Sequence, residues 1–311
     1  MRLLILRRCA GFNGGVLKTL DYFAHARAAG FVTPRMMLFP LRAWDDILED
    51  RVLPHEVVTE AGDPDVVLLS REWDEADRLG LTAKKRPILH LVQHAAHGIG
   101  DTAENASLAR PATRIVVAQT LGDRIRQFNP NGKIVVIEAG VSVDRAPLPW
   151  SGRRWDVAIS GYKNPAVAEA VAKALIQSGR TVQMLTSYIP RQQYLDYVAA
   201  SRVLVALPLQ AGEAAYLSAL EAMHLDVAVV TPDAGGPRGY CIDGVSCLTP
   251  QYSADEIARR ANDLLSNPAL LSNLRTGGAS MAAKLTVAAE REKFIQVLQD
   301  LVANLSPVNG P

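Results

Sequence analysis

RVLVALPLQAGEAAYLSALEAMHLDVAVVT, Arg202 to Thr231, decides the fold. An uninterrupted apolar run, RVLVAL, leads through the loop Leu209-Gln210-Ala211-Gly212 into an alanine- and leucine-rich stretch, and a second apolar run, VAVVT, follows. Runs without polar alternation are strands buried on both faces, and such strands belong to a mostly parallel sheet covered by helices. The stretch is therefore one β-α-β unit, and the rest of the chain should repeat it.

It does so in both directions. Toward the N-terminus, RLLIL predicts a strand, Asn13-Gly14-Gly15 a turn, and residues 16–29 an amphipathic helix. MMLF, VVLLS, ILHLV, RIVVA and KIVVIEA continue as short buried strands. Near residue 145 the alternation breaks at DRAPLPWSGRRW, whose prolines and glycine mark an interdomain linker. It then restarts with WDVAIS, a helix through AVAEAVAKALIQSG, TVQMLT and a helix near RQQYLDYVAA; beyond the opening unit VSCLT predicts a last strand. Three helices close the chain, over 253–265, 268–283 and 286–303, and SPVNGP should fray. The pattern predicts an α/β protein of two Rossmann-like domains, 1–145 and 146–290, with ligands bound beyond the carboxyl ends of the strands.

Bulk composition excludes several classes. With 49% hydrophobic and 21% charged residues and a net charge of +1, the chain reads as an ordinary globular protein without the basic excess of a polyanion binder. Cys9, Cys241 and Cys247 are odd in number and unclustered, against a disulfide framework or zinc site and in keeping with a reducing compartment. Arg7 and Arg8 interrupt the first apolar run before it reaches the length of a signal core, and no run is long enough to span a bilayer. A cytoplasmic protein, with surface contact to a membrane still open, is the expectation.

The chemistry should lie in the two glutamates of the opening stretch. If a helix starts just after Glu213, Glu221 lies about 12 Å further along it and on roughly the same side. The amides of Ala215, Tyr216 and Leu217, with the helix dipole, would then hold a diphosphate between the two acids. The bland alternative makes Glu213 a first-turn charge favoured by the dipole and Glu221 a partly exposed face residue.

An acidic residue, seven others, Glu221-Ala222-Met223, a strand, Gly235-Gly236 and then Asp243-Gly244 closely resemble the donor half of the retaining family 4 glycosyltransferases of GT-B fold. YVAASRVLVALP before the first glutamate, FNGGVLKTLDYFAHARAAGF near the N-terminus and LTVAAEREKFIQVLQDLV at the end are similar to that family's segments too. The resemblance implies two Rossmann-like domains facing a central cleft, with residues 291–311 as a cross-over helix returning toward the N-terminal domain. It implies a hexosyltransferase-like enzyme of the EC 2.4 class, with a nucleotide-diphosphate sugar as co-substrate and neither metal nor other cofactor.

By the same resemblance, Glu221 would bind the ribose hydroxyls, and Glu213 the transferred sugar and the positive charge at its anomeric carbon. Gly14 and Gly15 match the loop near the diphosphate and the acceptor. Gly235 and Gly236 would line the cleft or support its floor. The loop Ser187 to Arg191 falls where the family holds the nucleobase. Lys163 matches the phosphate lysine, or is a solvated lysine at a helix start; the arginine expected beside it has no clear occupant, with Arg153, Arg154 and Arg238 as substitutes. His94, with His97 second, matches a histidine that contacts the donor sugar, against the alternative of an imidazole satisfied by backbone.

No HExxH, paired-cysteine, Walker or Gly-x-Ser-x-Gly pattern occurs, and Asp63-Pro64-Asp65 reads as a turn before a strand rather than a metal triplet. Retention without a convincing carboxylate nucleophile implies front-face attack within an ion pair. Two alternatives share the architecture: a nucleotide-sugar epimerase and a catalytically silent nucleotide- or carbohydrate-binding protein. The acceptor stays open among a polysaccharide, lipid-linked glycan, natural product, protein or modified nucleic acid.

Overall fold

The apolar runs of the first half become six strands, β1 (Arg2–Arg8), β2 (Thr33–Phe39), β3 (Val66–Leu69), β4 (Ile88–Val92), β5 (Thr113–Val116) and β6 (Ile134–Val136). The structure, a computed structural model, describes residues 1–9, 13–40, 51–84, 86–100, 102–210 and 212–305, so SPVNGP lies outside the described residues. Contacts divide the chain into two units, Met1–Ala139 with Val287–Pro311, and Gly140–Thr286.

In the first unit the sheet order is β2-β1-β3-β4-β5-β6, and every pair is parallel. All of β3 and β4 is buried, as expected of strands covered on both faces. Helices α1 (Gly14–Ala28), α2 (Trp73–Arg78), α3 (Ala103–Ala106) and α4 (Gln119–Arg126) connect them. Helix α1 begins earlier than its sequence suggests. Asn13 is extended and its side chain accepts the Val16 N–H, so it caps the helix, and Gly14 and Gly15 form the first turn.

In the second unit, β7 (Trp155–Ser160), β8 (Val182–Leu185), β9 (Ser201–Ala206) and β10 (Ala228–Val230) form a parallel sheet of order β10-β9-β7-β8. Helices α5 (Pro165–Gln177), α6 (Arg191–Ala199), α7 (Leu217–His224), α8 (Ala254–Leu265) and α9 (Pro268–Ala282) cover it. The expected strand VSCLT is reduced to isolated bridges, Leu248 with Val230 and Cys247 with Asp243. Ser246 accounts for part of this: its hydroxyl is turned onto the Ile242 N–H and the Tyr240 carbonyl, closing a loop instead. The proline-rich stretch packs onto this unit. Arg153 reaches the Ser201 and Leu225 carbonyls, and the Trp150 ring lies under Arg202 at 5.0 Å and Arg275 at 5.1 Å.

Helix α10 (Val287–Leu305) belongs to the first unit and packs on α1. That contact explains why α1 is not amphipathic but buried on nearly every side, Lys18, Asp21 and His25 included. Lys18 Nζ lies 2.5 Å from Glu290 Oε2 and 2.8 Å from Asp21, and His25 Nε2 is 3.2 Å from the same Glu290 oxygen. Burial alone would lower the Lys18 pKa, but Glu290 and Asp21 reverse the sign and raise it. Beside them the Tyr22 ring meets Phe294 edge-on at 4.7 Å. Among the described residues no helix is long and apolar enough to cross a membrane.

Candidate functional site

Each sheet has a point where the strand order turns. In the second unit the chain steps from β7 out to β8 and returns to β9 on the other side of β7. The loops leaving β7 and β9 therefore diverge, and a crevice opens at their carboxyl ends. The loop after β7 carries Gly161, Tyr162 and Lys163. Gly161 is required by packing, since a Cβ there would stand 2.2 Å from that of Ala168 on α5. The loop after β9 carries Glu213.

Glu213 does not open the helix. Its N–H donates to the Ala234 carbonyl at 2.9 Å and its carbonyl accepts from Gly236 at 3.0 Å, a short bridge that holds residue 213 extended, and α7 begins only at Leu217. The helical rise estimated from the sequence therefore does not apply between Glu213 and Glu221. Gly235 has φ +82°, and a Cβ on Gly236 would meet the Ala214 carbonyl oxygen at 2.2 Å. The glycine pair thus seats the backbone of the acid it was expected to accompany.

The Glu213 carboxylate is paired. Oε1 receives the Lys163 ammonium at 2.6 Å and the Leu209 N–H at 2.9 Å. Lys163 also lies over the Tyr216 ring at 5.1 Å and the Tyr162 ring at 5.8 Å. Both charged side chains keep some surface, 12% for Glu213 and 21% for Lys163, so the pair remains reachable.

At the mouth of α7 one expected donor is taken. The Tyr216 N–H donates to the Tyr240 hydroxyl at 3.0 Å, and that hydroxyl returns a bond to the Tyr216 carbonyl at 2.8 Å. The amides of Ala215 and Leu217 find no acceptor among the described residues. The hydroxyls of Ser160, Tyr194 and Tyr216 are buried, and those of Ser160 and Ser218 lie close to that of Tyr194.

Glu221 is buried and paired with Arg191, whose Nη2 lies 2.9 Å from Oε1 and also reaches the Ser142 carbonyl at 2.7 Å. Arg191, expected at a nucleobase loop, is the first residue of α6, and its guanidinium holds an acid. Ser187, earlier in that loop, is exposed. Desolvation, followed by the Glu213 and Glu221 charges, pushes the Tyr162 phenol up to about 12, so both acids act on one hydroxyl.

The three substitute arginines fail on geometry. Arg153 is buried against backbone carbonyls. Arg154 precedes β7, roughly 20 Å of strand from the end that carries Lys163. Arg238 is exposed and fully engaged with Asp233. Asp63 and Asp65 are likewise ion-paired, to Lys84 and to Arg2. Among the described residues no three His, Cys, Asp or Glu side chains gather as metal ligands would.

The first unit holds the remaining expected residues. Gly14 and Gly15 start α1. His94 is exposed in the turn after β4, its Nδ1 accepting the Ala96 N–H and its carbonyl accepting the His97 Nδ1–H. His97 is buried, and desolvation lowers it to about 4, which marks a neutral interior imidazole beside His90.

Residues 134–281 match the model of the family Glycosyl transferases group 1. Solved structures agree on the fold. HepE of Anabaena, in complex with UDP and glucose, is 15% identical with a TM-score of 0.77 over 96% of this chain and 99% of that one. Sucrose-phosphate synthase of Thermosynechococcus elongatus is 13% identical with a TM-score of 0.74 over 98% and 100%. A glycosyltransferase of Rickettsia africae is 10% identical with a TM-score of 0.71 over 97% and 99%. No curated protein matches the chain. The fold is thus two Rossmann-like domains of GT-B type. By class it is a glycosyltransferase, EC 2.4.

Sequence reading named Lys163 and Arg191 as site residues but not their pairing with the two acids, and it missed the Tyr240 cap. The pairings and the cap join segments remote from one another in sequence, which local spacing does not show.

Proposed function

We propose that the chain transfers a sugar from a nucleotide-diphosphate sugar to an acceptor hydroxyl, with retention at the anomeric carbon and without a metal ion. The observation that carries this reading is the Glu213–Lys163 pair, an accessible acid and cation 2.6 Å apart beyond the carboxyl ends of β9 and β7. Neighbours of the same fold hold UDP with glucose, or UDP-glucose, which supports a nucleotide-sugar donor.

In this reading Glu213 binds the sugar hydroxyls and steadies the positive charge that grows at the anomeric carbon as the glycosidic bond breaks. Lys163 faces the diphosphate, which gains negative charge in the same step, and the amides of Ala215 and Leu217 add the positive end of α7. Glu221, kept in place by Arg191, accepts hydrogen bonds from the ribose. A phosphate oxygen of the donor takes the acceptor's proton on the face from which the nucleotide departs. Buried hydroxyls around Ser160 and Tyr194 form the floor.

A thermal-shift screen of nucleotide sugars, followed by product analysis after treatment with a chelator, tests the reading. The expected result is stabilisation by one donor, transfer that survives the chelator, and a product of unchanged anomeric configuration. Hydrolysis or epimerisation of the donor with no acceptor requirement, or an inverted product, refutes it. Glu221→Ala should weaken donor binding; unchanged affinity removes the ribose role.

A further inference from the structure

The Glu213–Lys163 pair depends on two loops that leave neighbouring strands, the β7 loop with Lys163 and the β9 loop with Glu213. A third segment of the same unit joins them. Tyr252 lies between Leu248, which bridges to β10, and the start of α8. Its hydroxyl donates to the Pro208 carbonyl at 2.5 Å and accepts the Asn164 Nδ2–H at 3.0 Å. Asn164 follows Lys163 in the chain, and Pro208 precedes Leu209, whose N–H is bonded to the Glu213 carboxylate. One phenol oxygen therefore ties the main chain beside the cation to the main chain beside the acid.

Asn164 gives up an ordinary role to reach it. It is the N-cap of α5, where an asparagine side chain usually accepts a helix N–H, yet no such bond forms. Its amide is turned to Tyr252 instead. Pro165 at the first helical position has no N–H to satisfy, which lessens the loss. Burial raises the Tyr252 phenol, the Asn164 hydrogen bond acts against that, and the Glu213 charge raises it further. The hydroxyl thus keeps its proton at neutral pH, as the bond to Pro208 requires, and stands within electrostatic reach of Glu213.

We propose that Tyr252 is a positioning residue for the acid–cation pair: by joining Asn164 to Pro208 it holds both loops in place while Lys163 leaves Glu213 for the donor diphosphate. Only a side chain then has to move when the donor binds, because the loops are already ordered. This role rests on the sugar-transfer reading; the tie between the loops does not.

The test compares the full chain with Tyr252→Phe and Asn164→Ala, each with and without Lys163→Met, and thermal melts verify folding. Calorimetry measures UDP affinity, and hydrogen exchange followed by NMR measures the Leu209 amide with no ligand present. Tyr252→Phe should weaken UDP binding by about three- to tenfold, and that loss should vanish in the Lys163→Met background, because the hydroxyl acts through the lysine. Exchange at Leu209 should quicken by about the same factor, while the Val205 amide within β9 stays as in wild type. Asn164→Ala should move both readouts in the same direction. An equal loss of UDP affinity with and without Lys163, or an unchanged Leu209 amide, overturns the positioning role. Should Tyr252→Phe not fold, Asn164→Ala, which leaves the bond to Pro208 in place, carries the comparison. Failure of wild type to bind UDP counts against the sugar-transfer reading, while exchange at Leu209 still decides the tie between the loops.

Discussion

The two units treat charge in opposite ways. In the second, Glu213 and Glu221 each hold a cation, Lys163 and Arg191, at a strand-end site where Glu213 and Lys163 keep part of their surface. In the first, Lys18, Asp21, His25 and Glu290 are packed between α1 and α10 and shut away from solvent. Exposure separates the roles. A pair with some surface can exchange its partner for a ligand at modest cost, whereas a buried cluster must stay complete, because losing one member strands the others without water.

The largest expected effect breaks the buried cluster. Glu290→Ala removes the carboxylate shared by the Lys18 ammonium and His25 and should cost about 3–5 kcal/mol of stability. Denaturant unfolding measures it, and a loss below about 1 kcal/mol would remove the distinction between the units. Glu213→Ala should leave unfolding nearly unchanged but lower turnover by about a hundred- to a thousandfold, roughly 3–4 kcal/mol in the barrier. Steady-state transfer at the wild-type rate would end its role.

The pH dependence sharpens the contrast further. His97 is held at about 4 in the fold, below its ordinary value of 6.5, chiefly by desolvation. Below pH 6.5 the unfolded chain takes up a proton at this residue that the folded chain refuses, so the His97 contribution to stability falls as pH drops from about 6.5 toward 4 and levels off beneath. The full loss is about 3 kcal/mol. Denaturant midpoints of wild type and His97→Gln across this window measure it; parallel curves would count against the buried neutral imidazole. The smallest effect belongs to Arg191→Ala. Freed from its partner, Glu221 loses its position, and donor KM should rise about tenfold, near 1.4 kcal/mol, with kcat little changed. Arg191→Lys should recover part of it, and a fall in kcat alone would rule out a positioning role.

Alternation of apolar runs made the two sheets legible, because strands buried on both faces leave no polar positions to confuse the reading. The glutamates were legible as residues of one local pattern, and Lys163 through the family resemblance. The start of α7 was not: four residues after Glu213 look helical in composition, yet the bridge to Gly235 holds Glu213 extended. Burial of α1 was equally hidden, since its cover comes from α10 at the other end of the chain. Arg7 looked like the end of an apolar run, and only the structure shows it buried beside Gly15.

By itself the sequence determined the element types, the repetition of β-α-β units and the identity of the two acids, because these follow from local periodicity and from residues close together along the chain. Only the tertiary structure decided what each charge faces. Arg191 meets Glu221 and Tyr240 caps Tyr216 because the fold brings together segments that are far apart along the chain. Electrostatic partners are chosen by distance in space, which periodicity along one strand or helix does not encode.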